Sequence, residues 1–424
     1  MDAKKKRPRM ICIFLKIFLF LESTRSQSFI GINYGEVADN LPPLSSTVKL
    51  LQSTTITKLR LYSVNPDILR SLAHTGISVI ITASNAEIPS FADEPSFSSS
   101  WIAANVLPFY PATAISTISV GNEVFLSKDS NLITKLLPAM ENLEKALIDH
   151  SLQTQIRVST VHPMSVLIQS DPPSSGKFDP ATVDSLKPIV AFLQRTSGSF
   201  MVNPYPYFAY QSDPSPETLA FCLFQPNKGR VDRGTKLVYK NMFDAQVDAV
   251  KWALKGIGFG NVEIVVAETG WPYRGDSEEV GANLVNAKTY NGNLIAHLRS
   301  MVGTPVMPGK SLVTYLFAMY DEDLKPGPLS EKSFGIYKTD LTPIFDIGLD
   351  KTSTQGPPES PPPPPQTTIT KPAPALPRQP ATDDCRRPTS SCYYPNTVAS
   401  HAISVVNFFH SLRSVVLGLA VFLI

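Results

Sequence analysis

Eight short, apolar, β-branched runs alternate with helix-like stretches over about 320 residues, and this alternation restricts the fold more than any other feature. The runs are FIGINYG (29–35), TKLRLYS (57–63), ISVIITAS (77–84), AISTISVGNE (114–123), QIRVSTVHP (155–163), FMVNPYPY (200–207), VEIVVAETGWP (262–272) and LVTYLFAMYDE (312–322). Between them lie stretches with helical spacing, such as STVKLLQST, NPDILRSLAHTG, NLITKLLPAMENLEKALIDH and NMFDAQVDAVKWALKG. Strands that alternate with helices call for a parallel sheet. Eight such units fit a closed (β/α)8 TIM barrel, whose usual size is ~250 residues before insertions. An open doubly wound sheet is the alternative. It normally carries a glycine-rich phosphate turn after an early strand, and GINYGEVADN lacks the G-x-G-x-x-G spacing.

The expected class is therefore α/β, a TIM barrel over residues 27–347, followed by a proline-rich linker (348–384) and a short C-terminal tail (385–424). From Pro357 to Pro380 there are eleven prolines, including PPPPP at 361–365, a composition that extends and cannot build a core. Residues 1–26 read as a secretory signal peptide: KKKRPR is basic, MICIFLKIFLFL is apolar, and STRSQS offers small residues for cleavage. That segment holds seven basic and two acidic residues, so removing its surplus of five changes the formal charge from +2 to −3. A mildly acidic chain has no electrostatic footprint for nucleic acid.

In a barrel, catalytic groups sit at the C-terminal ends of strands. The fourth run ends on Asn122 and Glu123, and the seventh ends on Glu268. Strand alternation would place Ile264, Val266 and Glu268 on one face, and Ser119, Gly121 and Glu123 on another. If those faces line the barrel, both carboxylates enter one mouth. Two carboxylates in a cleft suit glycoside hydrolysis, one donating a proton and the other attacking the anomeric carbon or activating water. A like charge and partial burial would separate their pKa values and so divide the roles.

GINYG, KLRLYSVNPDILRSLAHTGI, SVGNE, NPYPYF, VVAETGWP and KPGPLSEKSFGIY, taken in order, resemble the plant glucan endo-1,3-β-glucosidases of glycoside hydrolase family 17. The resemblance spans about residues 28–347. It implies a (β/α)8 barrel and retaining endo-hydrolysis of β-1,3-glucan, with Glu123 as acid/base and Glu268 as nucleophile. It further implies a substrate-binding set. Asn122 would bond the sugar 2-hydroxyl, and Tyr34 and Tyr205 would orient the nucleophile or touch substrate. Arg60 would hold the nucleophile ionised, and Trp271, Tyr207 and Phe208 would offer faces for sugar stacking. Glu322, Lys325 and Glu331 match auxiliary cleft positions, although the family's usual FDEN-x-K appears here as YDEDLK. Two other activities remain open on the same scaffold: a β-1,3-glucanosyltransferase, or a non-catalytic glucan-binding wall protein.

Other chemistries find no motif. The six histidines are scattered, and there is neither H-E-x-x-H nor G-x-S-x-G, so no metal and no cofactor are expected. His162 stands at a strand end, as a rim residue or facing the cleft. Of the four cysteines, Cys12 falls in the signal segment, Cys222 stands alone, and Cys385 and Cys392 could close a small loop. The final uninterrupted apolar run, Ser414 to Ile424, has 11 residues, roughly 16 Å of helix at ~1.5 Å per residue. A bilayer core is ~30 Å thick. Extending the run back to Ala402 takes in His410 and Arg413, and an arginine near the centre costs ~2.5–3.5 kcal/mol. A glycosylphosphatidylinositol (GPI) signal fits better, with attachment near Ser390–Ser391 or Ala399–Ser400. The expectation is a secreted monomer held by lipid at the outer plasma membrane, facing the cell wall.

Overall fold

Each of the eight apolar runs forms a strand: β1 Ile30–Tyr34, β2 Lys58–Leu61, β3 Ser78–Ala83, β4 Ala114–Asn122, β5 Arg157–Pro163, β6 Phe200–Asn203, β7 Ile264–Thr269 and β8 Thr314–Leu316. The computed structural model describes residues 29–351. The expected signal segment, most of the linker, Cys385, Cys392 and the tail lie outside the described residues. The strands pair in chain order, all parallel, and β8 closes on β1. The expected closed barrel is what forms.

Two apolar layers hold it. Inside, Ile80, Val161, Met201, Val265, Ala267 and Tyr315 make a small cluster of their own. Gly31 permits that packing, because a Cβ there would lie 2.5 Å from the Tyr315 ring. The opposite strand faces, with Ile30, Ile32, Leu59, Leu61, Val79, Ile81, Val158 and Val202, join the main cluster shared with the surrounding helices.

Four of the longer or better-capped helices begin where short polar side chains accept from free backbone N–H groups. Asn65 starts α1 (Pro66–Ser71), Asp129 starts α2 (Ser130–Asp149), Asn241 starts α3 (Met242–Gly256) and Asn283 starts α4 (Leu284–Arg299), each by a side-chain cap bond. After β8 the chain still packs on the barrel. Phe345, Ile347 and Leu349 are buried, and Asp350 bridges Thr54. Packing thus extends slightly past residue 347.

His162 belongs to this framework. Its ring stacks on Phe200 at 4.5 Å and leans on Phe125 at 5.5 Å, fully buried, and burial pushes it down to about 3. A neutral imidazole in an apolar slot has no view of the cleft.

Candidate active site

Strand alternation alone would have aimed Glu268 the wrong way. Val265 and Ala267 point into the barrel, whereas Ile264 and Val266 join the outer cluster. The expected shared barrel-lining face of Ile264, Val266 and Glu268 is therefore not formed. Glu268 reaches the mouth because the register against β8 shifts between Val266 and Thr269, three residues of β7 spanning two of β8. A bulge of this kind re-aims a side chain at a strand end. The same device operates on β4, where Ser119 pairs with Ser159 but Asn122 pairs with Val161. Gly270 then passes so close to the residue after β8 that a Cβ would meet the Phe317 carbonyl oxygen at 2.2 Å. That close approach explains the glycine after Glu268-Thr269.

Three donors converge on Glu268. Arg60 Nη1 donates to Oε1 at 2.6 Å, Tyr62 Oη to the same oxygen at 2.9 Å, and Tyr205 Oη to Oε2 at 3.0 Å. Arg60 is wholly buried, and its Nη2 donates to Asn122 Oδ1 at 2.6 Å, so one guanidinium spans the ends of β4 and β7. The planar fork suits that double task. Burial first, then the charge of Glu268, push the Tyr62 and Tyr205 hydroxyls well above their usual range and keep them as donors. Asn33 braces the assembly from β1, accepting from Arg60 Nη1 at 3.3 Å and donating to the Ala267 and Leu316 carbonyls.

Glu123 sits across the mouth on a strained backbone. Its φ is 50° and that of Gly121 is 69°, both left-handed. At Gly121 any side chain would collide with Asn85 Oδ1, 2.5 Å from the Cβ position. Asn85 in turn clamps Asn122 by both backbone groups, at 2.8 Å and 3.1 Å. The Glu123 carboxyl accepts from Asn203 Nδ2 at 2.8 Å. Burial first and the Glu268 charge second push this carboxyl up to about 7, with Asn203 and Arg60 pulling the other way. Asn122, its Oδ1 engaged by Arg60, is left to present Nδ2 to a ligand.

Not every expected residue faces the opening. Tyr34 packs edge-on against Tyr320 at 6.1 Å and makes no bond to Glu268; Tyr62 does instead. Trp271 and Tyr207 are fully buried, so the stacking role expected for them has no exposed ring to serve it. Trp271 packs on Tyr207 at 5.3 Å and Tyr290 at 5.6 Å, and its Nε1 donates to the Gly281 carbonyl at 2.8 Å. Large aromatics fill cores as readily as they line clefts. Trp271→Phe is accordingly expected to cost roughly 1–3 kcal/mol of stability through lost packing and one lost hydrogen bond to the Gly281 carbonyl, which Asn283 and Asn286 still bond, with KM unchanged. Thermal unfolding beside steady-state kinetics checks this; a raised KM at unchanged stability would restore the stacking role. Phe208 is only part-buried, 5.3 Å from Tyr205, and keeps a face toward solvent.

Glu322, Lys325 and Glu331 do gather near the nucleophile. Lys325 Nζ lies 3.1 Å from Glu331 and 4.6 Å over the Phe317 ring. Burial works against the Lys325 charge, but Glu331, Glu322 and Glu268 outweigh it and hold the ammonium above its usual range. Glu322 accepts from the Val37 amide at 3.1 Å, over Gly35, where a Cβ would lie 2.2 Å from the carboxylate. Two residues that bond the catalytic carboxyls directly, Tyr62 and Asn203, were missed from sequence, as were the braces Asn33 and Asn85. Tyr62 stands next to the end of the run 57–63, where the strand-end rule that singled out the glutamates would have found it, whereas Asn203 lies in the middle of the run 200–207, and only the structure shows that the strand ends there. Among the described residues no cluster of His, Cys, Asp and Glu could hold a metal.

Comparison with known proteins agrees with this geometry. Glucan endo-1,3-beta-glucosidase 7 of Arabidopsis thaliana is 54% identical over 414 residues, covering 93% of this chain and 81% of the relative. Glucan endo-1,3-beta-D-glucosidase of Olea europaea is 50% identical, over 93% of this chain and 90% of its own. The solved structure of CJP38, a beta-1,3-glucanase and allergen of Cryptomeria japonica pollen, aligns with a TM-score of 0.73 at 41% identity, covering 76% of this chain and 100% of that one. The profile of glycosyl hydrolases family 17 matches residues 30–349, from β1 to the last buried residues after β8, and the chain belongs to that family.

Proposed function

We propose that the protein cleaves internal β-1,3-glucosidic bonds of β-1,3-glucan with retention, using Glu123 as acid/base and Glu268 as nucleophile. The observation that carries the reading is the asymmetry of the two carboxyls. Glu123 is pushed up to about 7, while Glu268 is gripped by Arg60, Tyr62 and Tyr205. Opposed environments of this kind divide an acid from a nucleophile.

In the first step Glu268 attacks the anomeric carbon as the bond to the glycosidic oxygen breaks. The bonding pair stays on that oxygen, and Glu123 gives it a proton. Oε2 of Glu268 is the better attacking atom, because Oε1 is already held by two donors and Oε2 by Tyr205 alone. Esterification removes the negative charge of Glu268, and with it one of the causes that hold the Glu123 proton. Glu123 is then ready to act as base on water, which attacks the same carbon and releases Glu268. Asn122 Nδ2 is placed to bond the sugar 2-hydroxyl, a contact that strengthens as positive charge develops at the anomeric centre. Early-time NMR of products from a β-1,3-oligosaccharide tests the reading. β-Anomers of several lengths are expected first; α-anomers, or glucose released one unit at a time, would overturn it.

The pH dependence follows from the same asymmetry. The first step needs Glu123 protonated, so kcat/KM on laminarin-type glucan should fall with rising pH above about 7. The expected slope is about tenfold per unit, with an apparent pKa that belongs to the coupled pair. A rate that instead climbs through pH 8 would mean Glu123 is not the acid.

Residence at the outer plasma membrane through a GPI lipid is part of the proposal. It is supported by the basic-apolar N-terminal sequence, the eleven-proline segment and the short apolar run at 414–424. No helix among the described residues is long and apolar enough to cross a membrane. Callose-like glucan in the adjacent wall would then be the accessible substrate. Phosphatidylinositol-specific phospholipase is expected to move the active protein from intact membranes into the soluble phase. Retention on the membrane, with an intact Ser414–Ile424 peptide recovered from it, would mean a spanning helix.

A further inference from the structure

We propose that Asn203 is a positioning residue that confines the acid proton of Glu123 to Oε2, the oxygen that serves the leaving group. The inference rests on Glu123 being the acid/base. Asn203 ends β6, buried, with its backbone in the barrel ladder opposite Pro163 and the following Pro204 also buried. Its Nδ2 donates to Glu123 Oε1 at 2.8 Å, and its Oδ1 is buried with no partner. An unpaired buried carbonyl is costly, so the arrangement persists for what the other end of the amide does.

An N–H held at that distance makes Oε1 an acceptor. A proton on Oε1 would leave that N–H bonded to the weaker-accepting hydroxyl oxygen and compete with it for the same lone pairs, so in the acid form the bond favours the proton on Oε2. Among the described residues, Oε2 makes no hydrogen bond, which leaves it free to meet the glycosidic oxygen. Reversing the amide would set Oδ1 against Oε1, tolerable only with the proton on Oε1. Amide orientation and proton position are therefore one variable, and the observed orientation selects Oε2. The same bond favours the ionised carboxyl and so offsets part of the upward push from burial and Glu268. Asn203 thus keeps Glu123 from becoming too weak an acid in the first step, and stabilises it as the base in the second.

The test uses Asn203→Ala and the near-isosteric Asn203→Asp, each checked for native-like thermal unfolding. On β-1,3-glucan, whose leaving sugar needs protonation, kcat/KM of Asn203→Ala is expected to fall ~10–100-fold, part of the 10²–10⁴ that general acid catalysis supplies. On a dinitrophenyl β-laminaribioside, whose leaving group needs no proton, the loss should stay below about threefold. The basic limb of the pH profile should move to higher pH in both variants, further in Asn203→Asp, where a second carboxyl adjoins the first. Equal losses on both substrates with the limb unmoved would reduce Asn203 to a structural role and overturn the proposal. Glu123→Ala separates this from failure of the parent reading. If it shows no leaving-group dependence, the acid/base assignment falls; if it does and Asn203→Ala does not, only the positioning role falls.

Discussion

Glu268→Gln is expected to lower turnover on β-1,3-glucan by ~10⁴-fold or more while the barrel still folds. The substitution keeps the shape and an oxygen able to accept from Arg60 and Tyr62, which donate at 2.6 Å and 2.9 Å. It removes the charge and the second oxygen that must attack carbon. The smaller Glu268→Ala opens room for azide, which would attack an activated glucoside from the vacated side in one step and give the α-glycosyl azide. Glu123→Ala leaves the nucleophile intact, so azide would instead intercept the glycosyl-enzyme from the other side and give the β-glycosyl azide. Opposite anomers from the two variants would assign the two roles independently of any rate. Exchanged anomers would reverse the assignment, and near-normal turnover by Glu268→Gln would end it.

What could be read from the sequence follows from what is local. The eight strands were legible because each is a short β-branched run bounded by helical spacing, and consecutive order around a closed parallel barrel then follows from short right-handed crossovers. Both glutamates were legible as charges at the ends of buried runs. The direction in which they point was not. Period-two counting predicts the wrong face for Ile264 and Val266, and Glu268 enters the mouth only through the register shift between Val266 and Thr269. A bulge depends on how β7 meets β8, a contact between segments about 50 residues apart, and leaves no mark in either run alone. The aromatics fail for a related reason. Trp271 and Tyr207 fill space between helices, Phe208 keeps an open face, and their residue types are equally suited to both. The polar braces divide likewise. Arg60 could be anticipated from the family pattern and Tyr62 from its place near a run's end, whereas Asn203 acquires its role only because closing the barrel brings the ends of β4 and β6 to one rim.

Arg60→Met should be the most destabilising single change among the site residues and should also abolish most activity. The guanidinium is wholly buried, and its partner Glu268 has 11% of its side chain exposed. Breaking a buried pair by removing one member typically costs ~3–5 kcal/mol, because the survivor is left as an uncompensated buried charge. The cost here is compounded by Asn122 Oδ1, which loses its donor, and by Asn33 Oδ1, which accepts from the same group. A second substitution separates these causes. In the Arg60→Met background, Glu268→Gln removes the stranded charge, so the double variant should unfold at higher denaturant concentration than Arg60→Met alone. The cycle isolates the pair's coupling from the packing of the arginine stem. Arg60→Lys keeps a positive charge, but a compact ammonium cannot reach Glu268 and Asn122 together, so it should recover more stability than activity. Strictly additive losses in the cycle would mean that Arg60 stabilises the barrel through packing and its neutral partners, and that Glu268 draws its reactivity from the two tyrosines instead.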